Sequence, residues 1–149
     1  MTYRMNTSSI ELPDGWHEQT LHILTTSPPG KPGQSLVIIS EPLPQGKDLV
    51  AYKELSLGRL PQQLPGFRLL KEEPWQIKPQ RPGYLLEYVW QTDHGQMHVY
   101  QGVFVQLESK GFWREQLRGY SLTLTVPAML HQGDEQELFG QIVQSQRFG

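Results

Sequence analysis

The chain has 149 residues, 37% apolar and 19% charged, enough for one compact domain that hides about two-thirds of its unfolded surface. Lys and Arg total 13 against 15 Asp and Glu, a formal charge of -2, and no basic run supplies the counterion release that general nucleic-acid binding needs. Cysteine is absent, which excludes disulfides, thiolate nucleophiles and thiolate metal sites and fits a reducing compartment. The opening MTYRMNTSSIELPDGW lacks an apolar h-region and predicts no secretory signal. No stretch approaches the roughly 18 apolar residues of a membrane span.

In chain order, Ser8 to Leu12 reads as extended, and Pro13-Asp14-Gly15 as a turn, because proline fixes φ and Asp and Gly tolerate the remaining turn geometry. Glu18 to Thr25 reads as a strand with Leu21, Ile23 and Thr25 on one face and Thr20, His22 and Leu24 on the other. Ser27 to Gly33, rich in Pro and Gly, predicts an exposed connection to a strand over Gln34 to Glu41. From Lys47, the stripe Leu49, Tyr52, Leu55, Leu57 and Leu60 predicts an amphipathic helix, with Asp48 suiting its positive end and Pro61 ending or kinking it. A strand over Phe67 to about Glu72 follows, then an irregular passage punctuated by Pro74, Pro79 and Pro82. Tyr84 to Thr92 and Gln96 to Leu107 form a hairpin through Asp93-His94-Gly95. Tyr120 to Val126 alternates as a half-buried strand stopped by Pro127, and Gln136 to Phe148 carries a helical stripe. Strands, helix, strands, helix predict an α+β fold with a mainly antiparallel sheet.

Catalytic patterns are weak. His17 and His22 lie five apart without the i, i+4 spacing of a zinc pair, His94 falls in the hairpin turn, and His98 and His131 read as surface histidines. An enzyme would have to use an unfamiliar set such as Asp14, His17 and His22. There is no Gly-x-Ser-x-Gly elbow and no phosphate-binding glycine fingerprint, so neither a cofactor nor a metal is expected. The tryptophans Trp16, Trp75, Trp90 and Trp113 read as core or interface mass before ligand stackers. What stands out is Ser35 to Ser40, SLVIIS, apolar on both faces. Leu36 and Ile38 point one way, Val37 and Ile39 the other, and one helix layer cannot cover both. Either the strand is sandwiched inside the monomer, or one face is a groove or a dimer interface. Ser35 among Val37 and Ile39, and Gln101 among valines, would dot such an apolar floor with hydrogen-bonding groups.

These residues resemble the Eag chaperones of bacterial type VI secretion, which share the DcrB and Mog1/PsbP-like fold. The resemblance runs through nearly the whole chain: Tyr3-Arg4-Met5-Asn6, Ile10-Glu11-Leu12-Pro13-Asp14-Gly15-Trp16, Ser35-Leu36-Val37-Ile38, Pro42-Leu43-Pro44-Gln45-Gly46, Tyr52, Leu64-Pro65-Gly66-Phe67, Leu86-Glu87-Tyr88 with Trp90, and Leu122-Thr123-Leu124-Thr125-Val126-Pro127. It implies a mainly antiparallel twisted sheet with the helices on one face and an apolar concave face opposite, and a cytoplasmic, non-enzymatic, dimeric adaptor that holds the N-terminal transmembrane helices of a PAAR-containing toxic effector before loading on the VgrG spike. Burying roughly 800 Å² of such a helix is worth on the order of 20 kcal/mol gross, much of it offset by ordering. Carried onto this chain, the resemblance nominates Leu21, Ile23, Ser35, Val37 and Gln101 as helix-binding. Two more positions depart from the family: Ile39 stands where relatives tend to have a serine, and Ser56 where a glutamine is expected. The alternative is a small-molecule-binding or structural module of the same fold.

Overall fold

A computed structural model describes residues 2–4, 9–11, 20–26, 33–44, 46–78, 81–109, 115–131 and 133–145. Strands β1 (Thr2–Arg4) and β2 (Ser9–Glu11) pair antiparallel as a small sheet of their own. The main sheet has six strands, β3 (Thr20–Thr25), β4 (Ser35–Pro42), β5 (Arg68–Lys78), β6 (Arg81–Thr92), β7 (Gly95–Ser109) and β8 (Glu115–Pro127). Their spatial order is β3-β4-β8-β7-β6-β5, with every neighbouring pair antiparallel. The α+β class and the antiparallel sheet expected from the sequence are therefore present. The Pro13-Asp14-Gly15 turn and nearly all of the Ser27 to Gly33 connection lie outside the described residues.

Topology dictates where the helices go. Strand β4 lies next to one edge and β5 forms the other, so the chain between them must cross the sheet. Helix α1 (Leu49–Gln63) makes that crossing, opened by Asp48, whose carboxylate accepts from the Ala51 N–H at 2.9 Å. Its inward residues are Tyr52, Leu57 and Leu60. Leu55, expected on the buried stripe, points outward. Pro61 does not end the helix, which continues to Gln63 and closes with Leu64 N–H donating to Leu60 O at 2.9 Å. Pro61 lacks the N–H that would donate to Leu57 O, so one helical bond is missing, and the two residues after it keep the helical path. Lys53 pins α1 against the far strands, bridging to Glu72 of β5 at 2.7 Å and lying 4.4 Å from the Tyr84 ring. After β8, a 3-10 turn (Ala128–Leu130) leads to α2 (Glu135–Gln144).

The helices do not share a face, which corrects the sequence reading. Two glycines on adjacent strands show it. A Cβ on Gly119 would lie 2.7 Å from the Tyr52 ring of α1, whereas one on Gly102 would meet Trp75 at 3.0 Å and Phe139 of α2 at 3.5 Å. Gly102 pairs with Leu122 and Gly119 with Val105, an odd offset that puts the two on opposite faces. An amphipathic stripe says which side of a helix is buried but not which side of a sheet receives it.

The α2 face carries the larger core: Leu85, Tyr100, Phe104, Leu122, Leu124, Val126, Phe139 and Val143, with Leu36, Ile38 and Trp75 packed against it. The α1 face holds two smaller clusters, one around Leu43, Tyr52 and Val103 and one around Leu86, Tyr88 and Val99. The passage expected to be irregular is strand where it is described, Pro74 in β5 and Pro82 in β6, while Pro79 lies outside the described residues. Strand β5 runs through Pro74, with register shifts near Leu69 and Gln76. As an edge strand it has one unpaired side, where proline's missing N–H is tolerated.

Candidate functional site

Helix α1 covers β6, β7 and the near side of β8, and leaves the rest of its face open. Between it and β4 lies a groove of about 270 Å³, floored by Ser121, Thr123 and Thr125 of β8 together with Gln101. Val37 and Ile39 form one wall, Leu60, Leu64 and Trp90 the other, and Glu41, Tyr52 and Arg59 one end. Beyond β4 the same face continues onto edge strand β3, where Leu21 pairs with Ile39 and Ile23 with Val37. Leu21 is 58% and Ile23 62% exposed. That is a contiguous aliphatic shelf beside a partly polar floor.

Of the residues nominated from the sequence, Val37, Ile39, Ser56 and Gln101 line this one cavity. Leu21 and Ile23 extend its wall, and Ser35, paired with Thr25 and Thr125, sits at the end of the same face outside the cavity lining. The groove is thus on the helix-bearing side, not on a helix-free one. Leu36 and Ile38, the other half of SLVIIS, are spent on the α2 core. Ser56 also bonds its own helix, donating to Tyr52 O at 3.0 Å.

Three polar side chains in the floor form a chain. Tyr88 O–H donates to Gln101 Oε1 at 2.9 Å, and Gln101 Nε2 donates to Ser121 Oγ at 2.8 Å. Burial holds the Tyr88 phenol above the usual tyrosine range. Tyr52 is raised likewise, by burial first and then by the adjacent Glu41, with Arg59 acting in the opposite sense. Arg59 and Glu41 approach to 3.6 Å at the groove mouth.

Sequence reasoning missed most of the floor. Ser121, Thr123 and Thr125 were readable only as the polar side of an alternating strand, which period 2 cannot distinguish from a solvated face. It also missed a cluster on the α2 face. His98 is half-buried and stacks on His131 at 4.3 Å, with Glu87 3.6 Å from His98 and Glu135, four residues after His131, 3.5 Å from it. Among the described residues no group of three or more His, Cys, Asp or Glu side chains is placed to hold a metal. His17 and Asp14 lie outside the described residues. Trp75 stacks on Phe139 at 5.6 Å, as core mass, and Trp90 lines the groove; Trp16 and Trp113 are not described. No described helix is long and apolar enough to cross a membrane.

An open antiparallel sheet with a helix on each face, and a groove under one of them, defines an α+β protein of the DcrB-like class. The DcrB family model matches residues 8–145, and the chain is 31% identical over 106 residues to the protein named Effector EagT6 from Pseudomonas aeruginosa, covering 70% of this chain and 72% of that one. The chain belongs to the DcrB family, among its Eag members. Among solved structures, it resembles PA94 of Pseudomonas aeruginosa, a protein of unknown function, with a TM-score of 0.70 and 24% identity over 100% of this chain and 96% of that one. It also resembles LpqN of Mycobacterium tuberculosis, described as involved in cell envelope biogenesis, with a TM-score of 0.60 and 16% identity over 91% and 79%. At those identities the two structures speak for the fold alone.

Proposed function

We propose that this chain is a cytoplasmic, non-enzymatic adaptor of type VI secretion that shields the N-terminal transmembrane helices of a PAAR-containing effector until loading on the VgrG spike. It acts as a homodimer, one domain per chain, and needs no cofactor. The observation that carries the reading is the uncovered aliphatic shelf of Leu21, Ile23, Val37 and Ile39, continuous with a groove whose floor is sparsely polar. Similarity to the protein named Effector EagT6 supports it. Apolar helices in water aggregate or insert into the wrong bilayer, so a guest of this kind gains most from such a surface. A volume of about 270 Å³ is below the roughly 300–1,000 Å³ of enclosed small-molecule sites, and fits a few side chains projecting from one side of a helix.

The test is co-expression of the chain with the N-terminal region of its cognate effector. The expected outcome is that the effector segment moves from the insoluble to the soluble fraction and co-purifies with the chain. Equal solubility with and without the chain would remove the role.

A further inference from the structure

We propose that Ser121 is the hydrogen-bond donor through which the groove selects its guest, favouring an apolar helix with a serine, threonine or asparagine oxygen at its centre, and that Gln101 and Tyr88 are positioning residues for it. This deepens the transmembrane-helix reading above and rests on it. Tyr88 is 2% exposed, and its hydroxyl hydrogen is directed at Gln101 Oε1. With the amide oxygen facing Tyr88, the amide nitrogen faces Ser121 and donates to it. Ser121 Oγ therefore already accepts a bond, and its own hydrogen is left over. Among the described residues no acceptor is present for it, although Ser121 is only 4% exposed. In the groove that hydrogen is free for an incoming group, and an acceptor arriving with an apolar guest takes it up in a drier surrounding, where the bond is worth more.

The donor opens into the cavity, since Ser121 lines it between the apolar wall of Val37 and Ile39 and that of Leu60 and Leu64. A helix carbonyl, already bonded within its own helix, has only its second lone pair to offer, as Tyr52 O offers it to Ser56, so a free side-chain oxygen is the better acceptor. Apolar helices that associate in lipid use such small polar residues for the same purpose. The polarised order of the chain, phenol to amide to hydroxyl, strengthens its terminal donor. Gln101, nominated from the sequence as a direct contact, acts instead through Ser121.

The experiment uses two 20-residue Leu-Ala segments fused behind a soluble carrier, identical except for Ser or Ala at the midpoint, and measures their binding to the full chain. The unmodified chain is expected to bind the Ser segment about five- to tenfold more tightly, the worth of one such bond. In S121A that ratio falls to about one, in S121T it is retained, and in Q101L and Y88F it falls between these values. A structural role alone would weaken both segments together and leave the ratio unmoved. Equal binding of the two segments by the unmodified chain overturns the inference while leaving the groove reading intact, as does a ratio that survives in S121A. Binding of neither segment overturns the groove reading and this inference with it. The comparison on the unmodified chain requires no variant to fold.

Discussion

On the α2 side of the sheet, Phe139 and Val143 are 0% exposed and drop into a continuous layer of aromatic and aliphatic side chains from five strands. On the α1 side, the helix closes two separate clusters and then stops short, so that β4 is half-covered and β3 is bare. Strand β4 serves both sides at once, Leu36 and Ile38 in the closed core and Val37 and Ile39 on the open wall. The division between holding the fold and meeting a partner therefore falls between successive residues of one strand, because successive side chains point to opposite faces. Stability and binding should be separable by moving a substitution one position along the chain.

The largest effect is expected on the closed side. Phe139→Ala removes a ring stacked on Trp75 at 5.6 Å and seated over Gly102, and truncation of a buried aromatic costs about 3–5 kcal/mol. Denaturant unfolding of the purified variant measures it. The sharpest use of the contrast is a neighbouring pair. Ile38→Asp places a carboxylate against the α2 core and should cost about 3 kcal/mol or more. Val37→Asp faces the groove, and should leave the unfolding midpoint nearly where it was while capture of the effector segment in a pull-down drops at least tenfold. If Val37→Asp destabilises as much as Ile38→Asp, the two faces are equally closed and the comparison collapses. Smaller again is Gly119→Ala, whose methyl would lie 2.7 Å from the Tyr52 ring and lift α1 from β8. Overpacking of this kind costs about 1–3 kcal/mol, and here it should also alter capture, since Tyr52 lines the groove.

The sequence made the unequal coverage legible in one place and hid it in others. SLVIIS is apolar on both sides, and that surplus left a sandwiched strand and a groove or interface both open; in the structure Leu36 and Ile38 enter the core and Val37 and Ile39 line the groove. The turn at Gly95 was readable for a local reason, a φ of +119° that glycine adopts without strain. Which environment each side meets depends on where α1 and α2 cross, and crossing is set by strand order, a long-range property absent from local periodicity. The hydroxyls of β8 show the same limit. Ser121, Thr123 and Thr125 alternate with Leu122 and Leu124 just as residues facing water do, yet α1 lies over them and makes them a floor. Pro61 and Pro74 misled in the opposite direction: Pro61 removes one helical donor yet the chain keeps the helical path for two more residues, and Pro74 lies on an edge strand, whose unpaired side tolerates a missing N–H.

The smallest expected effect concerns alkaline pH. Tyr100, beneath α2, is pushed up to about 12, by burial first and then by the negative charges of Glu87, Glu135 and Asp134. In the unfolded chain a tyrosine loses its proton near pH 10. Between pH 10 and about 12 the unfolded state therefore binds fewer protons at this site than the folded state, and stability falls as pH rises. Below pH 10 the contribution is fully present, because the phenol is neutral in both states. Tyr52 and Tyr88, under α1, are raised too and add to the same slope. Tyr100→Phe removes the Tyr100 share, on the α2 face, so unfolding measured between pH 10 and 12 should decline less steeply in that variant than in the native chain. An identical slope in both would show that Tyr100 carries no share of the alkaline sensitivity.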